Sequence, residues 1–156
     1  MTLYHRCAII IQMMKQYKLI DGTLRTVSQA KLRGKRILVR VDFDVVLENG
    51  KIADNFRIKK ALPTIRYCIK QGGRVRIVSH LGRPACRRVS SLSMQGIARH
   101  LEHLLQSRVI FIPDPFKSLA IDRYGTSNRV LFFENARFWP GEESDSQAFA
   151  DKLAVW

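Results

Sequence analysis

The chain has 156 residues, enough for one domain with a real core and too few for two of ordinary size. Its 46% hydrophobic content argues against wholesale disorder, and 27 basic against 13 acidic residues, a net charge of +14, call for an anionic partner. The arginines are scattered, with only Arg87 and Arg88 side by side, whereas a nucleic-acid tail shows denser blocks. For most of them the ordinary reading is a solvated basic face. Cys7, Cys68 and Cys86 are odd in number and have no metal-like spacing, as expected in a reducing cytosol. The apolar run CAIIIQMM is too short to span a membrane, and KQYK follows where a leader's cleavage site would be. A soluble, cytoplasmic protein without membrane contact is expected.

Residues 1–22 show no clear period and end at the Asp21-Gly22 turn signal, so they are expected to be an appendage to a domain over 23–156. Beyond them, strands and helices alternate. Ile37 to Phe43 is β-branched and mostly apolar, the pattern of a buried strand, and an Asn49-Gly50 turn follows. Ile58, Ala61, Leu62, Ile65, Cys68 and Ile69 share one helical face, with Asp54 or Asn55 as cap and Gly72-Gly73 as stop. Pro63 within that pattern predicts a kink or a true start nearby. Arg74 to Ser79 is the second strand. Met94, Ile97, Ala98, Leu101, Leu104 and Leu105 repeat the helical pattern, capped by Ser91 or Ser93. Arg108 to Ile112 and Arg129 to Phe133 are further strands, joined by a Pro-bounded connection with room for a short helix. SQAFADKLA is the last helix.

This alternation predicts an α/β fold: a parallel sheet with helices on both faces, Rossmann-like in three layers. In such sheets ligands sit beyond the carboxyl ends of the strands. The joints there are DFDVV, SHLGRP and ENARF, which carry Asp42, Asp44, His80, Gly82, Arg83 and Arg137, with Arg57 opening the first helix near the same edge. Three arginines and a histidine around one mouth suit a small, multiply charged anion, because a guanidinium grips phosphate or carboxylate with two bonds. Each residue also has a plain structural reading. Asp42 suits a cap, His80 and Arg57 suit packing or a solvated face, Glu134 and Asn135 suit a strand terminus, and His100 and His103 lie off the apolar stripe.

RVDFDVV, DNFRIKKALPTI, SHLGRP and LFFENARFWPGEE stand in the order of the amino-terminal half of phosphoglycerate kinases, which the chain resembles from about Thr23 to Ala154. The resemblance implies a partial phosphoglycerate-binding domain over 23–156, with the Mg-ATP/ADP-binding domain, and the hinge that closes the two, outside this chain. It implies reversible phosphoryl transfer between ATP and 3-phosphoglycerate in glycolysis, usually by a monomer, with 1,3-bisphosphoglycerate as the other small-molecule form. It also implies substrate contact by Asp42, Phe43, Asp44, Arg57, His80, Leu81, Gly82, Arg83 and Arg137. Arg57 resembles the family's catalytic arginine, stabilising the phosphoryl group in flight. Arg83 and Arg137 would hold the substrate phosphate while His80 and Asp42 orient the rest. No metal ligand and no nucleotide-binding residue is expected in this chain.

The chain departs from the pattern in three places. The family reads DFNVP where this chain reads DFDVV, so Asp44 brings a carboxylate to a site for an anion; two such charges about 4 Å apart repel by roughly 4 kcal/mol at an effective dielectric near 20. ACRRVSS replaces a glycine- and lysine-rich loop. The family continues beyond KLA into another strand and then a segment that brings one more substrate arginine. Two alternatives stay open: an inactive anion-binding module, and a basic nucleic-acid-binding protein. Against the second, Phe43, Phe111, Phe132 and Phe133 fall on strands rather than among basic residues.

Overall fold

The computed structural model describes residues 9–12, 26–117, 124 and 130–156. Strands β1 (Ile9–Gln12), β2 (Arg36–Arg40), β5 (Arg74–Val78), β6 (Val109–Ile112) and β7 (Val130–Phe133) form a sheet in the order β1-β2-β5-β7-β6. Every neighbouring pair in it runs parallel. The short β3 (Leu47–Glu48) and β4 (Lys51–Ile52) pair antiparallel as a hairpin. Asn49 and Gly50 at its tip both have positive φ, 51° and 74°, the backbone that a tight two-residue hairpin turn requires. Among the described residues run the helices α1 (Phe56–Lys70), α2 (Gln95–Leu105) and α3 (Gln147–Ala154).

The strands are apolar runs because both faces of the sheet are covered. On one face Ile37, Val39, Val75, Ile77, Val130 and Phe132 pack with Ile58 and Ile65 of α1 and Ile97 and Leu101 of α2. On the other, Leu38, Val78, Leu131 and Phe133 pack with Phe149 and Leu153 of α3 and with Trp156. The parallel, helix-flanked α/β architecture expected from the sequence is what the chain adopts. α1 closes on β2 through Gly73: a Cβ there would lie 2.1 Å from Ile37 Cδ1 and 3.0 Å from Cys68 O. Deep in the same core, burial pushes the Cys68 thiol up to about 11.

Several local expectations resolve differently. α1 runs unbroken through the exposed Pro63, with no later start. Its first turn is closed by Asp54, whose Oδ1 accepts from Phe56 N at 2.9 Å, while the cap position itself is Asn55. The cap position of α2 is Met94 rather than Ser91 or Ser93, although Ser93 Oγ accepts from Gln95 N at 3.2 Å. Arg76 is no solvated arginine: it is fully buried, and burial, followed by the charges of Arg36 and Arg74, lowers its guanidinium to about 10. Within the segment expected as an appendage, Ile9–Gln12 pairs with Ile37 to Arg40 at the sheet edge. Cys7, the rest of 1–22, Arg129 and most of the connection after Lys117 lie outside the described residues. Among the described residues no helix is long and apolar enough to cross a membrane.

Candidate anion site at the carboxyl ends of the strands

β2 continues into the site because Val41 N donates to Val78 O at 3.0 Å and Phe43 N donates to Ser79 Oγ at 2.9 Å. The Phe43 ring is fully buried, 5.9 Å edge-on from Phe132. With Phe43 anchored inward, strand alternation turns Asp42 and Asp44 outward together. Their carboxylates are 44% and 41% exposed, open enough to meet a solute.

Asp42 Oδ2 takes a hydrogen bond and ion pair from Arg57 Nη1, and its Oδ1 accepts from Asp44 N at 3.2 Å. Asp44 Oδ1 accepts from Gly82 N at 2.8 Å, and its Oδ2 lies 3.9 Å from His80 Nε2. Burial lowers the His80 pKa, the Arg137 charge lowers it further, and Glu142, Asp44 and Asp42 oppose. His80 is therefore predominantly neutral at pH 7. Gly82 is needed for its backbone: φ is +61°, and a Cβ would meet Leu92 Cδ2 at 3.0 Å.

β7 supplies the opposite wall. Asn135 is fully buried, and its Nδ2 donates to Leu81 O at 2.8 Å and to Leu92 O at 2.9 Å. Glu134 accepts from Met94 N at 2.7 Å, Ser93 Oγ at 2.8 Å and Asn135 N at 2.8 Å. These two residues, legible in the sequence only as a strand terminus, fasten the SHLGRP joint and the start of α2 to the end of β7. Asn135 Oδ1 also accepts from Arg137 N at 3.1 Å, opening the short turn Ala136–Phe138.

The Arg137 guanidinium is held at two points. Nη1 donates to Gly82 O at 2.9 Å, and Nε donates to Glu142 Oε2 at 3.1 Å with Glu143 Oε1 at 3.4 Å. Glu142 also accepts from Arg40. Burial pushes the Glu142 carboxyl up, but hydrogen bonds and charge from Arg40 and Arg137 outweigh it and hold the pKa below the usual carboxylate range. Its depressed pKa makes Glu142 a stabilising group above its unfolded value, and that contribution is lost as pH falls through the folded pKa. Sequence reasoning missed both Glu142 and Arg40. The acidic GEE after the aromatic run is the only signal, and it acquires meaning only once the chain folds back on β2.

Of the nine residues expected at the site, Asp42, Asp44, Arg57, His80, Gly82 and Arg137 are joined by these contacts into one network. Arg83 follows Gly82 and is exposed, with no ion pair among the described residues. Phe43 and Leu81 have their side chains in the core, 0% and 3% exposed, and can meet a ligand only through backbone. His100 is half-buried with Nε2 3.2 Å from Asn55 Nδ2, not turned wholly to water, whereas His103 is exposed. Among the described residues no group of three or more His, Cys, Asp or Glu could hold a metal ion.

The family model for phosphoglycerate kinase matches residues 27–156. A phosphoglycerate kinase of Coprothermobacter proteolyticus is 41% identical over 135 residues, which are 84% of this chain and 34% of the relative. One from Synechococcus elongatus is 44% identical over 135 residues, 85% of this chain and 34% of the relative. The solved phosphoglycerate kinase of Coxiella burnetii superposes with a TM-score of 0.69 at 33% identity, over 81% of this chain and 31% of that one. The chain spans about a third of the length of the relatives it matches. By sequence and by fold, the chain belongs to the phosphoglycerate kinase family.

Proposed function

We propose that this chain forms the acceptor-binding part of a phosphoglycerate kinase and takes 3-phosphoglycerate into the mouth between Asp42 and Arg137. The observation that carries the reading is the joining of Arg57, His80, Gly82 and Arg137 at the carboxyl ends of β2, β5 and β7, where parallel sheets hold their ligands. Arg137 and the neighbouring Arg83 are suited to the phosphate, and Gly82 offers backbone to a close approach. Arg57 and the neutral His80 are suited to the carboxyl end. Attack by a carboxylate needs no strong base, so what the protein must supply is position and compensation of the charge on the group in flight. Arg57, whose side chain is 52% exposed at the mouth, is suited to that task.

By resemblance, such proteins hold Mg-ATP in their other half, and no nucleotide contact is assigned to the site described here. With ATP and 3-phosphoglycerate, the 156-residue chain alone is expected to show no turnover in a coupled assay. Turnover that depends on ATP and disappears in Arg57→Ala would overturn this assignment of roles. The free Cys68 and Cys86 are in keeping with a reducing, cytosolic setting.

Asp44 tunes the site against its ligand. Its carboxylate bonds Gly82 N and approaches His80, and it pairs with neither Arg57 nor Arg83 among the described contacts. In Asp44→Asn the amide oxygen keeps the bond from Gly82 N while the charge facing the anion is removed. Affinity for 3-phosphoglycerate should rise by about 1 kcal/mol at low salt and by less as salt screens the charge. Calorimetric titration checks this, and equal or weaker affinity at both salt levels would make Asp44 a purely structural residue.

A further inference from the structure

A second basic site lies at the other end of the sheet. The loop leading into β2 and the end of α1 border an open groove of about 780 Å³ lined by Lys31, Arg33, Lys35 and Lys70, with Ala30 and Leu32 the only apolar side chains among the described residues. No acidic residue lines it, and none of the four cations has an ion-pair partner among the described residues. At the strand carboxyl ends, by contrast, Arg40, Arg57 and Arg137 are each matched by a carboxylate of the chain itself.

The cleft has a fixed frame. Gly34 N donates to Gly72 O at 2.9 Å, Lys35 N to Leu32 O at 2.9 Å, and Arg74 N to Lys35 O at 2.8 Å. Leu32 is 2% exposed and anchors the loop in the core, so Lys31 and Arg33 flank a fixed point. Gly72 turns the chain at φ +74°, and the Arg33 stem lies beside it, 3.4 Å from where a Cβ would stand. The carbonyl end of α1 would repel an anion, but its Tyr67, Cys68 and Ile69 oxygens already accept from Gln71, Gly73 and Gly72 N.

We propose that this cleft binds a small polyphosphate anion, separately from the acceptor site. Four unmatched cations on a rigid frame fit several linked phosphates better than one, and the volume is that of a small-molecule site. Among the described residues no aromatic ring lines the cleft to stack on a base, which favours the phosphate chain itself over a nucleotide or a nucleic-acid strand. The site opens at the amino ends of β2 and β5, roughly 15 Å along the strands from the acceptor site. The two can therefore be emptied independently.

The test is calorimetric titration with inorganic tripolyphosphate of the unmodified protein, a Lys31→Gln/Arg33→Gln/Lys35→Gln/Lys70→Gln variant and an Arg83→Ala/Arg137→Ala variant, each checked by its melting temperature. Tripolyphosphate should bind the unmodified protein, weaken at least tenfold in the fourfold variant, and keep its affinity in the acceptor-site variant. All four replaced residues are exposed, and the single charge reversal Lys35→Glu gives the same reading should the fourfold variant not fold. ATP should bind no more tightly than tripolyphosphate. Absent binding, equal affinity in the fourfold variant, or loss only in the acceptor-site variant would overturn the proposal. Tighter binding of ATP, or of a single-stranded oligonucleotide, through the same four residues would overturn the choice of ligand. The acceptor-site variant separates failure of this proposal from failure of the 3-phosphoglycerate reading.

Discussion

The Arg137→Ala variant is expected to lose about 2–5 kcal/mol of affinity for 3-phosphoglycerate, enough to take binding out of the calorimetric range. Arg137 is 19% exposed and fixed by Gly82 O and Glu142, so its guanidinium would meet the proposed ligand with little ordering left to do. Part of the loss will be indirect, because Glu142 then keeps only Arg40. Arg137→Lys separates the two contributions: it restores a charge beside Glu142 but not the planar fork, and should recover melting temperature more fully than affinity. Unchanged affinity in a folded Arg137→Ala protein would remove Arg137 from the site.

Trp156→Ala is expected to be the most destabilising of these substitutions, at about 3–5 kcal/mol. The indole is 2% exposed, its ring centroid lies 4.9 Å from that of Phe133, and Nε1 donates to Pro115 O at 2.8 Å. Alanine leaves a cavity against β7 and strips a buried carbonyl of its donor, two costs that add. Differential scanning calorimetry should show a drop on the order of 10 °C. Trp156→Phe, which fills most of the space but cannot donate to Pro115, should fall between. A melting temperature unchanged in Trp156→Ala would mean that α3 and Trp156 are not needed to hold the second face of the sheet.

The strands and the apolar faces of α1 and α2 were legible because they are local: a doubly covered strand is a continuous apolar run, and a core-facing helix shows its period in any window. Ile37, Val75, Val109 and Val130 are buried as that pattern implies. What escaped is tertiary or backbone in origin. The pairing of Ile9–Gln12 depends on a free edge of β2 that periodicity cannot display. Asn135 and Glu134 matter through bonds to Leu81, Leu92, Ser93 and Met94, forty to fifty residues away in the chain. Glu142 and Arg40 meet only across the folded domain. Asp44 stood out at once as a departure, but its partner, a backbone N–H at Gly82, has no side-chain signature in sequence.

Whether the site is built for a phosphorylated carboxylate is decided by one calorimetric series on the unmodified protein with 3-phosphoglycerate, glycerate and inorganic phosphate. Glycerate keeps the carboxyl group and lacks the phosphate, and phosphate lacks the carboxyl end. The arrangement of Arg57 and His80 opposite Arg137 predicts that 3-phosphoglycerate binds more tightly than either fragment and that its binding is lost in Arg83→Ala/Arg137→Ala. Equal affinity for 3-phosphoglycerate and inorganic phosphate, or binding that survives in that variant, would contradict it.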